Sequence, residues 1–136
     1  MKYHGCIMEF TCQRNGELMR AFRKAVSEAE HIDIARIAET VVNTPCSRFW
    51  VSEERALVVV SAIRKGKDVL RSMRPTKREM FEEIYRRVCD RKRSRPKDRM
   101  TDIIFHVVNS PAPKFYMRPR CAMELIYKIK KGYYDK

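Results

Sequence analysis

Glycine is scarce in this chain of 136 residues, with four in all: Gly5, Gly16, Gly66 and Gly132. A Walker-type phosphate loop needs closely spaced glycines, so that nucleotide site is excluded. No stretch approaches the roughly 18 apolar residues that a membrane-crossing helix requires. The first ten residues, MKYHGCIMEF, contain neither a long apolar segment nor a cleavage signature. The expectation is therefore a cytoplasmic protein with no membrane partner. The five cysteines (Cys6, Cys12, Cys46, Cys89 and Cys121) are odd in number and include no CxxC pair. Even the closest spacing, Cys6 to Cys12 with His4 nearby, falls short of the four ligands that zinc demands. Reduced thiols are expected, with no metal and no other cofactor. His31 and His106 suit a surface or core-edge role, and neither a Ser/His/Asp set nor a carboxylate pair appears at informative spacing. The chain does not read as an enzyme.

Acidic residues are also in short supply. Seventeen Asp and Glu face thirty Lys and Arg, leaving a formal charge of +13 and a pI near 9.9. Solubility does not require such an excess. It points to a polyanionic partner, nucleic acid first and an anionic surface second. Apolar residues make up 44% of the chain, enough for a packed core rather than a disordered tail. The length suits one ordinary domain or two very small ones.

An internal repeat organises what is present. Residues 41–66, VVNTPCSRFWVSEERALVVVSAIRKG, align without a gap on residues 107–132, VVNSPAPKFYMRPRCAMELIYKIKKG, at an offset of 66. Nine of the 26 positions are identical and eight more are chemically close. Such self-similarity decides how the rest is read. It predicts a tandem duplication, with a first repeat over 1–72 and a second over 73–136, related by a pseudo-twofold axis and possible as one fused domain.

Apolar periodicity makes each copy three helices, six in total. In the first copy Leu18, Met19, Phe22 and Val26 predict a helix over 15–29 with Asn15 as N-cap. In the second, Met80, Phe81, Ile84, Tyr85 and Val88 predict its counterpart, opened by Thr76 and Glu79 as a capping box. The offset for this helix is 62, so four extra residues are expected in an exposed loop around 93–96. Second helices are marked by Ile34, Ile37, Ala38, Val41 and Val42, and by Ile103, Ile104, Val107 and Val108. Asp33 is the expected start of the first and Thr101 or Asp102 of the second, and Pro45 and Pro111 stop them. Third helices are marked by Ala56, Val59, Val60 and Ile63, and by Ala122, Leu125, Ile126 and Ile129. Ser52 caps one, Pro119 sits in the first turn of the other, and Gly66 and Gly132 end them. The fold class is all-α.

Three short helices closed by a capped, amphipathic third helix resemble the helix-turn-helix class of DNA-binding domains. The likeness covers the second and third helices of each copy. It departs from the usual turn of 3–4 residues, since about nine residues join the two helices here. The resemblance implies duplex DNA as the partner.

The charge is uneven along the chain. Residues 1–66 carry 10 basic and 8 acidic residues, a net of +2, and residues 67–136 carry 20 and 9, a net of +11. The candidate nucleic-acid contacts follow that bias. Arg91, Lys92, Arg93, Arg95 and Lys97 form a cationic stretch expected to meet the phosphate backbone. Lys114, Tyr116, Arg118, Arg120 and Lys128 line the connection and third helix of the second copy, where Arg118-Pro119-Arg120 replaces Ser52-Glu53-Glu54. Basic residues at a helix start oppose its dipole, so anion contact accounts for them better than folding does. Arg48 and Trp50 are the equivalents in the first copy; Trp50 and Tyr116 read equally as seals between the two copies and as contacts to nucleic acid. By alternation, Phe49 and Phe115 are assigned to the core. The expected function is non-enzymatic binding of nucleic acid through the second repeat, duplex DNA before RNA. In that reading the first repeat serves as structural partner or protein-docking lobe; the rival is an adaptor or assembly protein of mobile-element or phage type that uses its basic face to dock an acidic protein partner.

Overall fold

The computed structural model describes residues 10–132. They form six α-helices: α1 (Thr11–Glu28), α2 (Ile34–Val42), α3 (Glu53–Arg64), α4 (Pro75–Ser94), α5 (Met100–Val108) and α6 (Pro119–Lys130). No strand occurs among the described residues. His4 and Cys6 lie outside them.

Most of the expected punctuation is in place. The Asp33 carboxylate accepts from Ala35 N at 3.1 Å and Arg36 N at 3.4 Å, and the Ser52 hydroxyl accepts from Arg55 N at 3.1 Å. Both satisfy amides that the first turn leaves without a partner. Pro119 opens α6. Gly66 and Gly132 take φ of 84° and 75°, the left-handed conformation that closes a helix and that a Cβ disfavours.

Four boundaries differ from expectation. α5 starts at Met100 with Arg99 as N-cap, so Thr101 and Asp102 lie in its first turn. α1 starts at Thr11, and Asn15 is buried inside it, its Oδ1 accepting from the Arg14 guanidinium at 3.0 and 3.2 Å. α4 starts at Pro75 with Arg74 as N-cap, which places Thr76 in the first turn and not at the cap. The four extra residues of the second copy are not a loop. Five residues follow each long helix (29–33 and 95–99), so residues 91–94 add a last turn to α4. Helix formers such as Arg and Lys extend a helix readily where no core face is required.

The described chain divides into two compact units. One is drawn from the chain up to Cys46 and from Pro113 onward; it contains α1, α2 and α6, each packed on the other two. The second spans Ser47–Ala112 and contains α3, α4 and α5, again mutually packed. The boundaries fall at 46/47 and 112/113, not at the expected 72/73. Each unit therefore joins the first and second helices of one copy to the third helix of the other. The connections between second and third helices, 43–52 and 109–118, explain how. Ten residues can extend by about 33 Å, and Pro45, Pro111 and Pro113 hold their surroundings away from helix. A 3–4 residue turn would have kept the two helices together.

Equivalent residues do the same work in the two units. In the first, Phe115 N donates to Val42 O at 2.9 Å; in the second, Phe49 N donates to Val108 O at 3.0 Å. Phe49 is 0% exposed and Phe115 2% exposed, as assigned, and burying such a ring stabilises by about 2–3 kcal/mol. Around Phe115 the core is Leu18, Met19, Phe22, Ile37, Ala38, Val41, Val42, Ala122 and Ile126. Around Phe49 it is Ala56, Val59, Val60, Met80, Phe81, Ile84, Val88, Ile103, Ile104, Val107 and Val108. The ends of several stripes fray to partial exposure, at Val26, Ile63, Leu125 and Ile129, and Ile34 is exposed.

Candidate nucleic-acid interface

Grouped by compact unit, the charge is distributed differently from its distribution along the chain. Residues 10–46 and 113–132 hold 11 basic and 6 acidic residues, a net of +5; residues 47–112 hold 17 and 9, a net of +8. The contrast of +2 and +11 along the chain becomes +5 and +8 in space. The third helix of the second repeat and its cationic stretch belong to different units.

In the first unit, α6 presents Arg118, Arg120 and Lys128 on its exposed side, with Lys130 and Lys131 beyond them. Arg118 is the N-cap and makes no capping bond through its side chain, and the first turn contains no acidic residue. Arg120 lies 3.7 Å from Glu124, with both side chains well exposed, so solvent screens that pair. In the connection, the Lys114 ammonium sits 5.7 Å from the centre of the Tyr116 ring. Tyr116 takes φ of 57°, a conformation that costs a residue with a Cβ about 1–2 kcal/mol. Buried Cys46 donates its thiol to Lys114 O at 3.4 Å. These side chains, placed in one unit, form a half-exposed aromatic beside several cations.

In the second unit the candidates separate. Arg48 is buried, 7% exposed, and its guanidinium donates from Nε to Phe49 O at 2.9 Å and from Nη2 to Val51 O at 2.6 Å. The expectation of a phosphate contact is corrected: Arg48 closes the connection around Phe49, because its own carbonyls lie nearer than solvent. Lys92 is likewise engaged, its Nζ donating to Pro96 O at 3.0 Å and Asp98 O at 2.9 Å, where it holds the turn between α4 and α5. Arg91, Lys92 and Arg93 are the last turn of α4 and not a loop. They do sit where cations favour the helix dipole. Arg93 lies 3.5 Å from Asp90, and Arg95 3.7 Å from Asp98. Lys97 is exposed in the turn and Trp50 is half-buried.

Arg91 has a different setting. With Arg86, Arg87, Ser94, His106 and Ser110 it lines a groove of about 410 Å³ between α4 and α5. Arg87 and His106 were not among the expected contacts. Arg87 donates to Glu83 Oε2 at 2.6 Å, Pro111 O at 2.7 Å and Ser110 Oγ at 3.3 Å, and its guanidinium lies 5.0 Å from the centre of the Phe49 ring. Hydrogen bonds from Arg86, with Arg87 in support, hold the Glu83 carboxyl below the ordinary carboxylate range against the opposing effect of burial. The repeat held a signal for both residues. At offset 62 Arg87 stands opposite Ala25, and at offset 66 His106 stands opposite Thr40.

Among the described residues no cluster of His, Cys, Asp and Glu could hold a metal ion, and no helix is long and apolar enough to cross a membrane. Cys12, Cys46, Cys89 and Cys121 form no disulfide. Comparison with protein-family models, with curated proteins and with solved structures gives no match. What the fold defines is an all-α protein.

Proposed function

We propose that this is a non-enzymatic nucleic-acid-binding protein, with duplex DNA as its main target. The observation that carries the reading is that both compact units are strongly cationic, at +5 and +8, with much of that charge on exposed side chains. Arg118, Arg120 and Lys128 supply it on α6, and Arg93, Arg95 and Lys97 supply it at the end of α4 and the turn that follows. Tyr116 adds a ring on which a base can stack. Clustered cations gain affinity by releasing condensed counterions from phosphates, without reading sequence.

We infer further that the chain arose by tandem duplication of a trihelical module whose copies then exchanged their third helices. The ungapped repeat, the matching bonds of Phe49 and Phe115, and the paired glycine ends support this origin. The likeness to helix-turn-helix domains then rests on the packing of second on third helix, α2 on α6 and α5 on α3.

The test is fluorescence anisotropy with labelled duplex DNA across 50–200 mM salt. Affinity should fall by about 0.9 log unit per decade of salt for each phosphate neutralised. A flat salt response rejects the proposal, and stronger binding to structured RNA transfers it to that partner. A second reading, docking of an acidic protein, is favoured by Ile32 and Ile34, which are 60% and 50% exposed in the first copy. Pull-down with an acidic partner insensitive to nuclease treatment would establish it instead.

A further inference from the structure

The two units carry equivalent grooves, and this supplies an internal control. In the first unit a groove of about 480 Å³ lies between α1 and α2, lined by Lys24, Ala25, Glu28, Glu39, Thr40 and Thr44 among others. At offsets 62 and 66 these correspond to Arg86, Arg87, Asp90, Phe105, His106 and Ser110. Five of the six counterparts line the groove between α4 and α5, all but Phe105. The charged lining of the first groove is one cation and two carboxylates. That of the second is Arg86, Arg87 and Arg91 against Asp90, with the imidazole of His106 added.

The first unit closes the equivalent helix pair with Ala25 and Thr40 where the second has Arg87 and His106. Arg87 does hold α4 to Ser110 and Pro111, but one of its terminal nitrogens takes no part in those bonds. Asp90 is engaged by Arg86 at 3.0 Å and lies 3.5 Å from Arg93. Arg91 is the uncommitted member. Its Nε is buried and has no hydrogen-bond acceptor among the described residues, an arrangement that folded proteins rarely leave without a purpose. Arg91 also stands in the turn that only α4 possesses.

We propose that the groove between α4 and α5 is a phosphate-binding site, with Arg91 and His106 as its main ligands and Arg87 and Ser110 forming its wall. Two or more N–H donors facing one oxyanion suit the fork geometry of a guanidinium, while the Ser110 hydroxyl donates to Val107 O at 2.6 Å and stays part of the wall. Resting on the nucleic-acid reading, the phosphate is a phosphodiester of the polynucleotide backbone. The groove fixes one phosphate in place, while the exposed cations of α6 and of the turn after α4 act as a diffuse field.

The experiment titrates the full-length chain with inorganic phosphate and follows backbone and Arg Nε–H signals by NMR. Shifts are expected at Arg91, Ser94, His106 and Ser110, and none at Ala25, Thr40 or Thr44. The Arg91→Ala, His106→Thr double variant should weaken phosphate binding by roughly tenfold or more. It should also lower duplex-DNA affinity and reduce the salt slope by about one phosphate. Circular dichroism checks its fold, and Arg91→Lys, which keeps the charge but loses the fork, should fall between it and wild type. If phosphate shifts no groove residue while DNA binds the double variant as tightly as wild type, the groove assignment is wrong and the nucleic-acid reading stands. If phosphate binds in the groove but neither DNA nor RNA is retained, the site stands and the nucleic-acid reading falls. Equal competition by poly-glutamate at the groove would overturn specificity for phosphate in favour of an acidic protein.

Discussion

The helix pair α1–α2 of one unit and the pair α4–α5 of the other are built on equivalent apolar residues, yet their grooves differ in charge. The shared positions are the buried ones: Val41 and Val107, Val42 and Val108, Ile37 and Ile103. The differing positions are at the rim, where Ala25 and Thr40 face Arg87 and His106. Close packing penalises a change of volume in the core, whereas a rim position can gain charge with little cost to the fold. The difference teaches where this chain is free to specialise. It also warns against reading charge by sequence halves, since grouping by compact unit narrows a contrast of +2 and +11 to one of +5 and +8.

The largest test of that equivalence lies in the core. Phe49→Ala and Phe115→Ala should each cost about 3–5 kcal/mol in urea or thermal unfolding. A markedly smaller loss at either position would break the correspondence between the units. Arg48→Ala should come next, at about 1–3 kcal/mol, because it removes a buried donor pair to Phe49 O and Val51 O. Lys114→Ala, at the equivalent but half-exposed position, should cost less in unfolding and more in DNA affinity. The reverse pattern would restore Arg48 as a phosphate contact. Gly66→Ala and Gly132→Ala should each cost about 1 kcal/mol through backbone strain. At Gly66 the added methyl would meet nothing within 4 Å, so no steric clash contributes.

The smallest effect concerns pH and belongs to one unit. Glu83 stands where the first unit has Ala21, and its carboxyl is held below the ordinary range chiefly by its hydrogen bond to Arg86. A depressed carboxylate stabilises the fold above its unfolded value, and that contribution disappears as pH falls through the lower folded value. Acidification below the ordinary glutamate range should therefore loosen the unit containing α4 slightly more than the other. Hydrogen exchange between pH 6 and pH 3 can measure this, and Glu83→Gln should remove the difference. An unchanged difference in that variant would assign it to other carboxylates.

Helix existence, caps and core stripes were legible because each depends on residues close in sequence. Asp33, Ser52, Gly66 and Gly132 act within one turn, and the apolar spacing of each helix states which face is buried. The role of Arg48 was hidden, since conservation of charge between Arg48 and Lys114 looks the same whether the guanidinium meets phosphate or its own carbonyls. Residues 91–94 look like a loop by their lack of apolar residues and the proline that follows, yet helix propensity and the capping contacts of Lys92 extend α4 through them. The groove was legible only in part. Arg91 stood out by charge, but Arg87 and His106 lie 19 residues apart and meet only through the packing of α4 on α5.

By itself the order of amino acids determined the repeat, the all-helical class, the six apolar stripes and the basic excess. Each follows from local periodicity and composition, which need no partner segment to act. Tertiary structure alone decided which third helix completes which core. The two third-helix stripes, Ala56, Val59, Val60 and Ile63 against Ala122, Leu125, Ile126 and Ile129, are chemically alike, and a ten-residue connection is long enough for either copy to receive either helix. That choice placed Arg118 and Arg120 in one unit and Arg91 beside His106 in the other.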